Sequence, residues 1–355
     1  MRYRTLLGFT GATLLLAGGA DAQAPGSWII AHDEGAFYVT LGKDTVAVEQ
    51  FMVHGPTLQT TAVTRSPRTT SRVHMVAWND AGVVQSHTVT MGDQTRTMQL
   101  PAEPMHVVFT PPMVSPYVVL ARIAAATNAS TVTMSNFPLV VTRPEAGWIV
   151  FSNDDLGTIR VRLDDQLRAQ EVDARGSTLG GHAVRVGSLD IAAVAARYAA
   201  LDAAGRGLGP LSPADTVSAQ VGGANITIGY HRPSMRGRTV FGGVVPIGRV
   251  WRTGANQATA FTTDRDLMIG ETRVPAGSYT VWSLPSESGW HLILNKQTGQ
   301  WGTEYHAEHD LAHIPMQVET LADPAEQFTI AVAEDGTLSL VWADRRGTIP
   351  VKVAP

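Results

Sequence analysis

The chain has 355 residues, a formal net charge of −4 and no cysteine. A balance so near neutral and on the acidic side leaves no basic footprint for nucleic acid. The missing thiols exclude a disulfide framework, so hydrophobic cores must supply the stability. Charged residues make up only 16% of the chain; Val, Thr, Gly and Pro are common, a mixture that favours strands and turns.

At the amino end, Arg2 and Arg4 precede an apolar run from Leu6 to Ala17 and the small-residue stretch Gly18-Gly19-Ala20-Asp21-Ala22. This is the pattern of a secretory signal peptide, residues 1–22, cut after Ala22. The run is too short to span about 30 Å of hydrocarbon comfortably, and no Cys follows it to carry a lipid. The expectation is a periplasmic or secreted protein with no transmembrane anchor after cleavage. Residues 23–355 exceed what one hydrophobic core usually serves, so two domains are expected.

From Trp28 to about Val141 short alternating segments are separated by turn signals such as Gly42-Lys43-Asp44 and Gly92-Asp93, which predicts an antiparallel meander. The stretch Tyr117 to Ala126 reads as helix, Trp148–Phe151 and Thr158–Leu163 as strands, and Ser188–Leu201 as a helix capped by Ser188. Residues 203–214 hold Gly205, Gly207, Gly209, Pro210 and Pro213, with little to bury, and are read as a linker. Beyond them nine short strands with almost no helix predict a β-sandwich or jelly-roll over 215–355. The fold class is therefore mainly β: an antiparallel domain of residues 23–202 with one or two helices, then the sandwich.

From Thr216 to Thr263 there are 48 residues without an Asp or Glu, yet the stretch contains Arg232, Arg236, Arg238, Arg249 and Arg252. These guanidinium groups have no local carboxylate. They must find one elsewhere in the fold, or water, or an anionic ligand, for which the rigid fork of Arg is suited. Arg236, Arg238 and Arg249 read more readily as solvated loop residues, and Arg232 and Arg252 as ligand contacts. Two aromatic segments lie nearby in character: Trp251 with Arg252, Thr253 and Asn256, and Trp301 with Asn295, Lys296, Gln297 and Gln300. Aromatic faces beside amides and an Arg suit a small polar or anionic ligand, glycan-like included; the opposing reading makes both Trp residues core plugs and the amides braces for loop backbone.

Four segments stand in order along the chain: Arg232-Pro233-Ser234, Val250-Trp251-Arg252-Thr253-Gly254-Ala255-Asn256, Pro275-Ala276-Gly277-Ser278-Tyr279 and Asn295-Lys296-Gln297-Thr298-Gly299-Gln300-Trp301-Gly302. Through them residues 215–355 resemble the bacterial family known as domain of unknown function 2911. The resemblance implies an exported β domain and no particular activity. His231 stands where that family usually has a small residue.

Other chemistry has thinner support. Ser234 follows His231 by three residues, but there is no Gly-x-Ser-x-Gly elbow for a nucleophile. Asp264, Asp266, Glu271, Glu304 and Glu308 offer carboxylates for a hydrolytic pair, with nothing to single out two of them. His306, His309 and His313 would share a face on a helix and hold a metal, but the resemblance implies a variable loop there, with solvated histidines. No cofactor is called for. In the meander Phe51, Met52, Val53, Met75, Val76, Met91, Met98, Met105 and Val107 could line an apolar groove for a lipid or acyl chain, or simply form core. The readings are thus non-catalytic binding of a small polar or anionic ligand by the C-terminal domain, an exported hydrolase, or a lipid carrier. For the leader, the expected outcome is a mature chain that begins at Gln23 and stays in the soluble fraction; N-terminal sequencing of the exported product checks it, and retention of Met1 in a membrane fraction would overturn it.

Overall fold

The fold was obtained as a computed structural model, which describes residues 32–79, 83–98, 106–107, 112–134, 137–154, 156–287 and 289–355. The expected signal segment and Met105 lie outside the described residues, as does the side chain of Val107. No helix among the described residues is long and apolar enough to cross a membrane.

The first sheet has thirteen strands. Six run as a meander: β1 (Asp33–Leu41), β2 (Asp44–His54), β3 (Thr57–Thr64), β4 (Thr70–Trp78), β5 (Val84–Met91) and β6 (Gln94–Met98). The two-residue β7 (His106–Val107) and the helix α1 (Ser115–Thr127) follow. Then come β8 (Thr131–Met134), β9 (Phe137–Thr142), β10 (Trp148–Asn153), β11 (Gly157–Leu163), β12 (Ala169–Asp173) and β13 (Gly181–Val186). Pairing of β1 with β13 joins the two meanders, leaving β6 and β7 at the edges. All pairs are antiparallel except β7 with β8.

α1 is wrapped by this sheet, and residues 115–124 of the helix are all buried. A helix apolar on every side, Tyr117-Val118-Val119-Leu120 among its residues, is stable only inside a core. Leu120 and Ile123 accordingly join Phe37, Phe51 and Phe151 in one cluster. The helix touches β8, β10, β11 and β12 from one half of the sheet. Its polar groups meet the other half. Both carboxylate oxygens of Glu49, which is fully buried, accept backbone N–H groups at its start, Val114 at 2.6 Å and Ser115 at 3.0 Å. This satisfies donors that a helix terminus otherwise leaves orphaned. Arg122 donates to Asp33 at 3.1 Å, and Arg185 of β13 reaches the same carboxylate at 2.6 Å. Next to Thr60, which donates to Ser115 at 3.1 Å, the buried His74 and His87 face each other ring nitrogen to ring nitrogen at 3.1 Å. At its far end α1 stops on Asn128, in the left-handed conformation with φ 52°.

α2 (Ile191–Ala203) lies on the outer face, where Tyr198 and Val194 cover Val48 and Val63. Its N-cap is Asp190, not Ser188: the Asp190 carboxylate accepts the N–H of Ala193 at 2.9 Å and places negative charge at the positive end of the helix. The segment 203–214 is also docked rather than bare, since Leu208 and Leu211 pack on the first core and the Leu211 N–H donates to Ser66.

The second sheet has nine strands: β14 (Ala214–Val221), β15 (Ala224–His231), β16 (Thr259–Thr263), β17 (Leu267–Ile269), β18 (Thr272–Val274), β19 (Gly277–Ser286), β20 (Gly289–Asn295), β21 (Asp310–Val332) and β22 (Thr337–Val353). It folds over so that β14 meets β21 and β22, and β18 meets β21, enclosing a second core around Phe261, Phe328 and Trp342. The protein is thus mainly β, as its composition predicts. Two of the nine short strands expected, Ile314 to Thr320 and Phe328 to Ala333, are joined in the single β21, which pairs with β22 as a continuous hairpin with register shifts after Thr320 and Ala325.

The buried carboxyl of Glu49 yields a prediction. Burial raises its pKa from 4.5 to about 7 against the pull of the helix N–H groups. Between those values the unfolded chain has released a proton that the folded chain retains. The stability Glu49 contributes is therefore complete below about pH 4.5 and is lost as pH rises to about 7. Burial lowers His74 to about 4, which acts oppositely, removing stability as pH falls from 6.5. Comparison of the protein with Glu49→Gln cancels the histidine contribution. The wild-type advantage should shrink by up to about 3 kcal/mol from pH 4.5 to 7; chemical denaturation at several pH values measures it, and a constant gap would refute the assignment.

Candidate functional site

A cleft of about 370 Å³ lies between the two domains. Its N-terminal wall is made of two turns, with Asp154, Leu156 and Gly157 between β10 and β11 and residues 176–178 between β12 and β13. Backbone bonds tie these turns together: Thr158 N–H donates to Gly176 and Thr178 N–H to Leu156, at 2.8 and 2.9 Å. The opposite wall comes from the segment Gly243–Arg252, from Trp282 on β19, and from Gly302, Thr303 and Tyr305. The domains are pinned outside the cleft by Arg236, which pairs with Asp44 at 2.6 Å while its carbonyl accepts the Lys43 N–H at 2.9 Å. Gly42 lies against that carbonyl: a Cβ there would sit 2.0 Å from it, and its φ of +59° is one that glycine adopts without strain.

The partners of the five arginines from the acid-free stretch can now be named. Arg232 pairs with Asp215 at 3.2 Å, one residue before the stretch begins, and donates to the Phe328 carbonyl and the Thr329 hydroxyl. Arg236 takes Asp44 from the other domain. Arg238 donates to the carbonyls of Met235 and Ser234. Arg249 donates to the carbonyl of Asp154 across the cleft mouth. Arg252 lines the cleft and makes no hydrogen bond or ion pair among the described residues. Surrounding protein lowers its pKa from 12.5 to about 10, so it remains charged at neutral pH.

The turn that carries Arg252 is built for this placement. Thr253, fully buried, has φ 52°, an uncommon and strained conformation for a β-branched residue. It is held there because its hydroxyl donates to Ser283 at 3.1 Å and its carbonyl accepts from Thr259 at 2.7 Å. Asn256, with φ 59°, accepts the Gly302 N–H at 2.9 Å through its carbonyl. Gly302 has no room for a side chain, since a Cβ would come within 2.3 Å of Cδ of Arg252. The glycine of the Gln300-Trp301-Gly302 motif thus leaves passage for the arginine stem.

The other expected site residues are not gathered in the cleft. Arg232 lies outside it, so the two arginines do not share a pocket. Trp251 touches the cleft but is mainly a core plug, stacked on Trp342 and edge-on to Phe328. Asn295 is fully buried and braces its loop through the His306 carbonyl, Asp310 and the Gln297 N–H. Lys296 and Trp301 are exposed and, with Asn256, absent from the lining. No hydrogen bond joins the Ser234 hydroxyl to His231 or another base among the described residues. Of the carboxylates, Asp264 is engaged with Asn225, Asp266 with Arg273, Glu304 with the Trp301 N–H and Glu308 with His306. His306 precedes a 3₁₀ turn that His309 ends, while His313 bonds Asp310 at 2.7 Å. No group of three His, Asp or Glu side chains is placed to hold a metal among the described residues. In the first domain α1 occupies the hollow where an apolar groove would run, and Met52, Met75 and Met91 lie exposed on the sheet surface.

Residues 212–351 match a family described as protein of unknown function (DUF2911), so the likeness read from the motifs holds for the C-terminal domain. A search of curated proteins finds no match.

The contrast among the arginines predicts opposite mutational effects. Arg232→Met removes a group with three partners and should lower stability by about 1–2 kcal/mol. Arg252→Met keeps the aliphatic packing and removes a guanidinium with no protein partner, so the melting temperature should hold or rise. Thermal denaturation of the two variants beside the parent decides the matter; a marked drop for Arg252→Met would give that residue a structural role instead.

Proposed function

We propose that this protein binds a small anionic ligand in the cleft between its domains, without chemistry of its own, and that Arg252 is the anchor. The observation that carries this reading is the single guanidinium left without a partner among the described residues at a cavity wall, in a stretch whose other four arginines each bond to protein. Withdrawing a cation from water without a counter-charge is costly. An anion seated on Arg252 supplies the missing bonds, and in a site of reduced dielectric each charge-assisted bond is stronger than in bulk water. The cleft has a volume typical of sites that enclose small molecules.

The reading places the ligand between the domains rather than within the C-terminal sandwich alone, because Leu156 and Thr178 form the facing wall. Non-catalytic binding is favoured over hydrolysis because Ser234, with its hydroxyl unlinked to a base, lies outside the cleft.

Thermal shift of the mature full-length protein against a panel of small anions tests the proposal. A ligand at a hundred times its Kd adds about 2.7 kcal/mol to native stability. At least one anion should raise the melting temperature of the parent and leave Arg252→Met unmoved. Equal responses of the two proteins across the panel, or no response in either, would refute it.

A further inference from the structure

The cleft also indicates which kind of anion fits it, an inference that rests on the anion-binding reading above. Its lining carries two positive groups, Arg249 and Arg252, and one carboxylate, that of Asp154, among the described residues. One negative charge on the occupant balances that set. A phosphate dianion would exceed it, and the features that usually cradle phosphate are missing from the lining. Neither helix of the described residues offers it a free N-terminus, since Glu49 serves that of α1 and Asp190 that of α2. The N–H groups of Gly243 and Gly302 are spent on the Val240 and Asn256 carbonyls, and no Lys lines the site.

The walls define the rest of the ligand. Leu156 faces Val244, Pro246 and Val250 across the cleft. At one end Trp282 and Tyr305 pack ring against ring at 5.0 Å. Their polar handles are already engaged: Trp282 Nε1 donates to Thr280 at 3.1 Å, and the Tyr305 hydroxyl donates to Asp310. Both residues therefore present apolar ring to the cavity. Amides that would read a polyhydroxy ligand are committed elsewhere, Asn295 to its own loop and Gln300 to Thr280. Apart from the charged groups, the hydroxyls of Thr178 and Thr303 and the indole N–H of Trp251 are the side-chain hydrogen-bonding groups left to a ligand among the described residues.

We infer that the occupant is a monocarboxylic acid with an apolar ring or short-chain body, its carboxylate on Arg252 and its body against Leu156, Val244, Pro246 and Val250. A bidentate guanidinium–carboxylate pair matches the single free fork, and burial of the body supplies the hydrophobic part of the affinity. A sugar acid shares the carboxylate but would bury most of its hydroxyls against the side chains of Leu156, Val244, Pro246 and Val250, which cannot bond them.

Isothermal titration of the mature full-length protein separates these classes. The probes are phenylacetate, 3-phenylpropionate and hexanoate, with phenylacetamide as neutral isostere, glucuronate as sugar acid and inorganic phosphate. At least one apolar carboxylate should bind ten-fold or more tightly than phenylacetamide, glucuronate and phosphate. Arg252→Met should abolish that binding, and Leu156→Asn, checked for an unchanged melt, should weaken it several-fold. Tighter Arg252-dependent binding of phosphate or glucuronate would overturn the class and leave the anion site standing. Equal binding of phenylacetamide and phenylacetate would remove Arg252 as anchor, and no binding by any probe would overturn both readings.

Discussion

The first domain depends on a helix that has no exposed face along its first ten residues. Such a helix brings its N–H groups, Ser115 and Arg122 into an apolar interior, where each unpaired group costs on the order of 1–3 kcal/mol and an unpaired charge more. The inner face of the sheet answers each in turn: Glu49 holds the backbone of the first turn, Thr60 meets Ser115, and Asp33 meets Arg122 and Arg185. Because Asp33 lies on β1 and Arg185 on β13, this ion cluster also fastens the junction between the two meanders. The bend that wraps the sheet around α1 carries the β10–β11 and β12–β13 turns to the face that meets the second domain. There the bonds between Gly157, Gly176 and their neighbours make a firm wall.

In the second domain a shortage of carboxylates organises the interface. Arginines that cannot pair within their own 48-residue stretch reach outward, and two of the five reach the other domain. Arg236 does so through a carboxylate and Arg249 through a carbonyl. The same shortage that draws the domains together leaves Arg252 unserved. Docking and the proposed anion site therefore follow from one feature of composition.

How much of this was legible in the sequence depended on the range of the interaction. Alternation and turn residues predicted the meander and the second sheet because a strand's two faces repeat every two residues. The helix at Tyr117–Ala126 was visible as an apolar run, but its burial was not, since periodicity describes a face and α1 has none. The groove inferred from Phe51, Val53 and Val76 is the surface that holds the helix. Absence of acid between Thr216 and Thr263 pointed correctly to arginines in search of partners, and left open which would find them. Asp215 lies one residue outside that window and Asp44 far from it, so Arg232 could be separated from Arg252 only in three dimensions. Arg249, exposed as expected yet at the edge of the cleft, and Leu156 and Thr178, which had no signal, enter the site through domain docking. Asn295 and Trp251 looked like ligand groups because a loop brace and a core plug use the same residue types as a binding site.

The Arg252 turn departs from the local consistency seen elsewhere in the fold. A β-branched residue in the left-handed region costs on the order of 1–3 kcal/mol, and the charge beside it is half-buried at the cleft wall with no protein counter-ion among the described residues. Either could be relieved simply: glycine suits the backbone at Thr253, and an uncharged side chain of similar length suits the space above Gly302. Sites where sequence and stability disagree are where binding imposes its own demands. A rigid, strained turn holds the guanidinium fixed before a ligand arrives, which reduces the ordering that binding must supply. In the proposed anion site, strain at Thr253, the bare Cα of Gly302 and an Arg252 without a partner among the described residues are parts of one preorganised group, whose forgone stability an anion would restore.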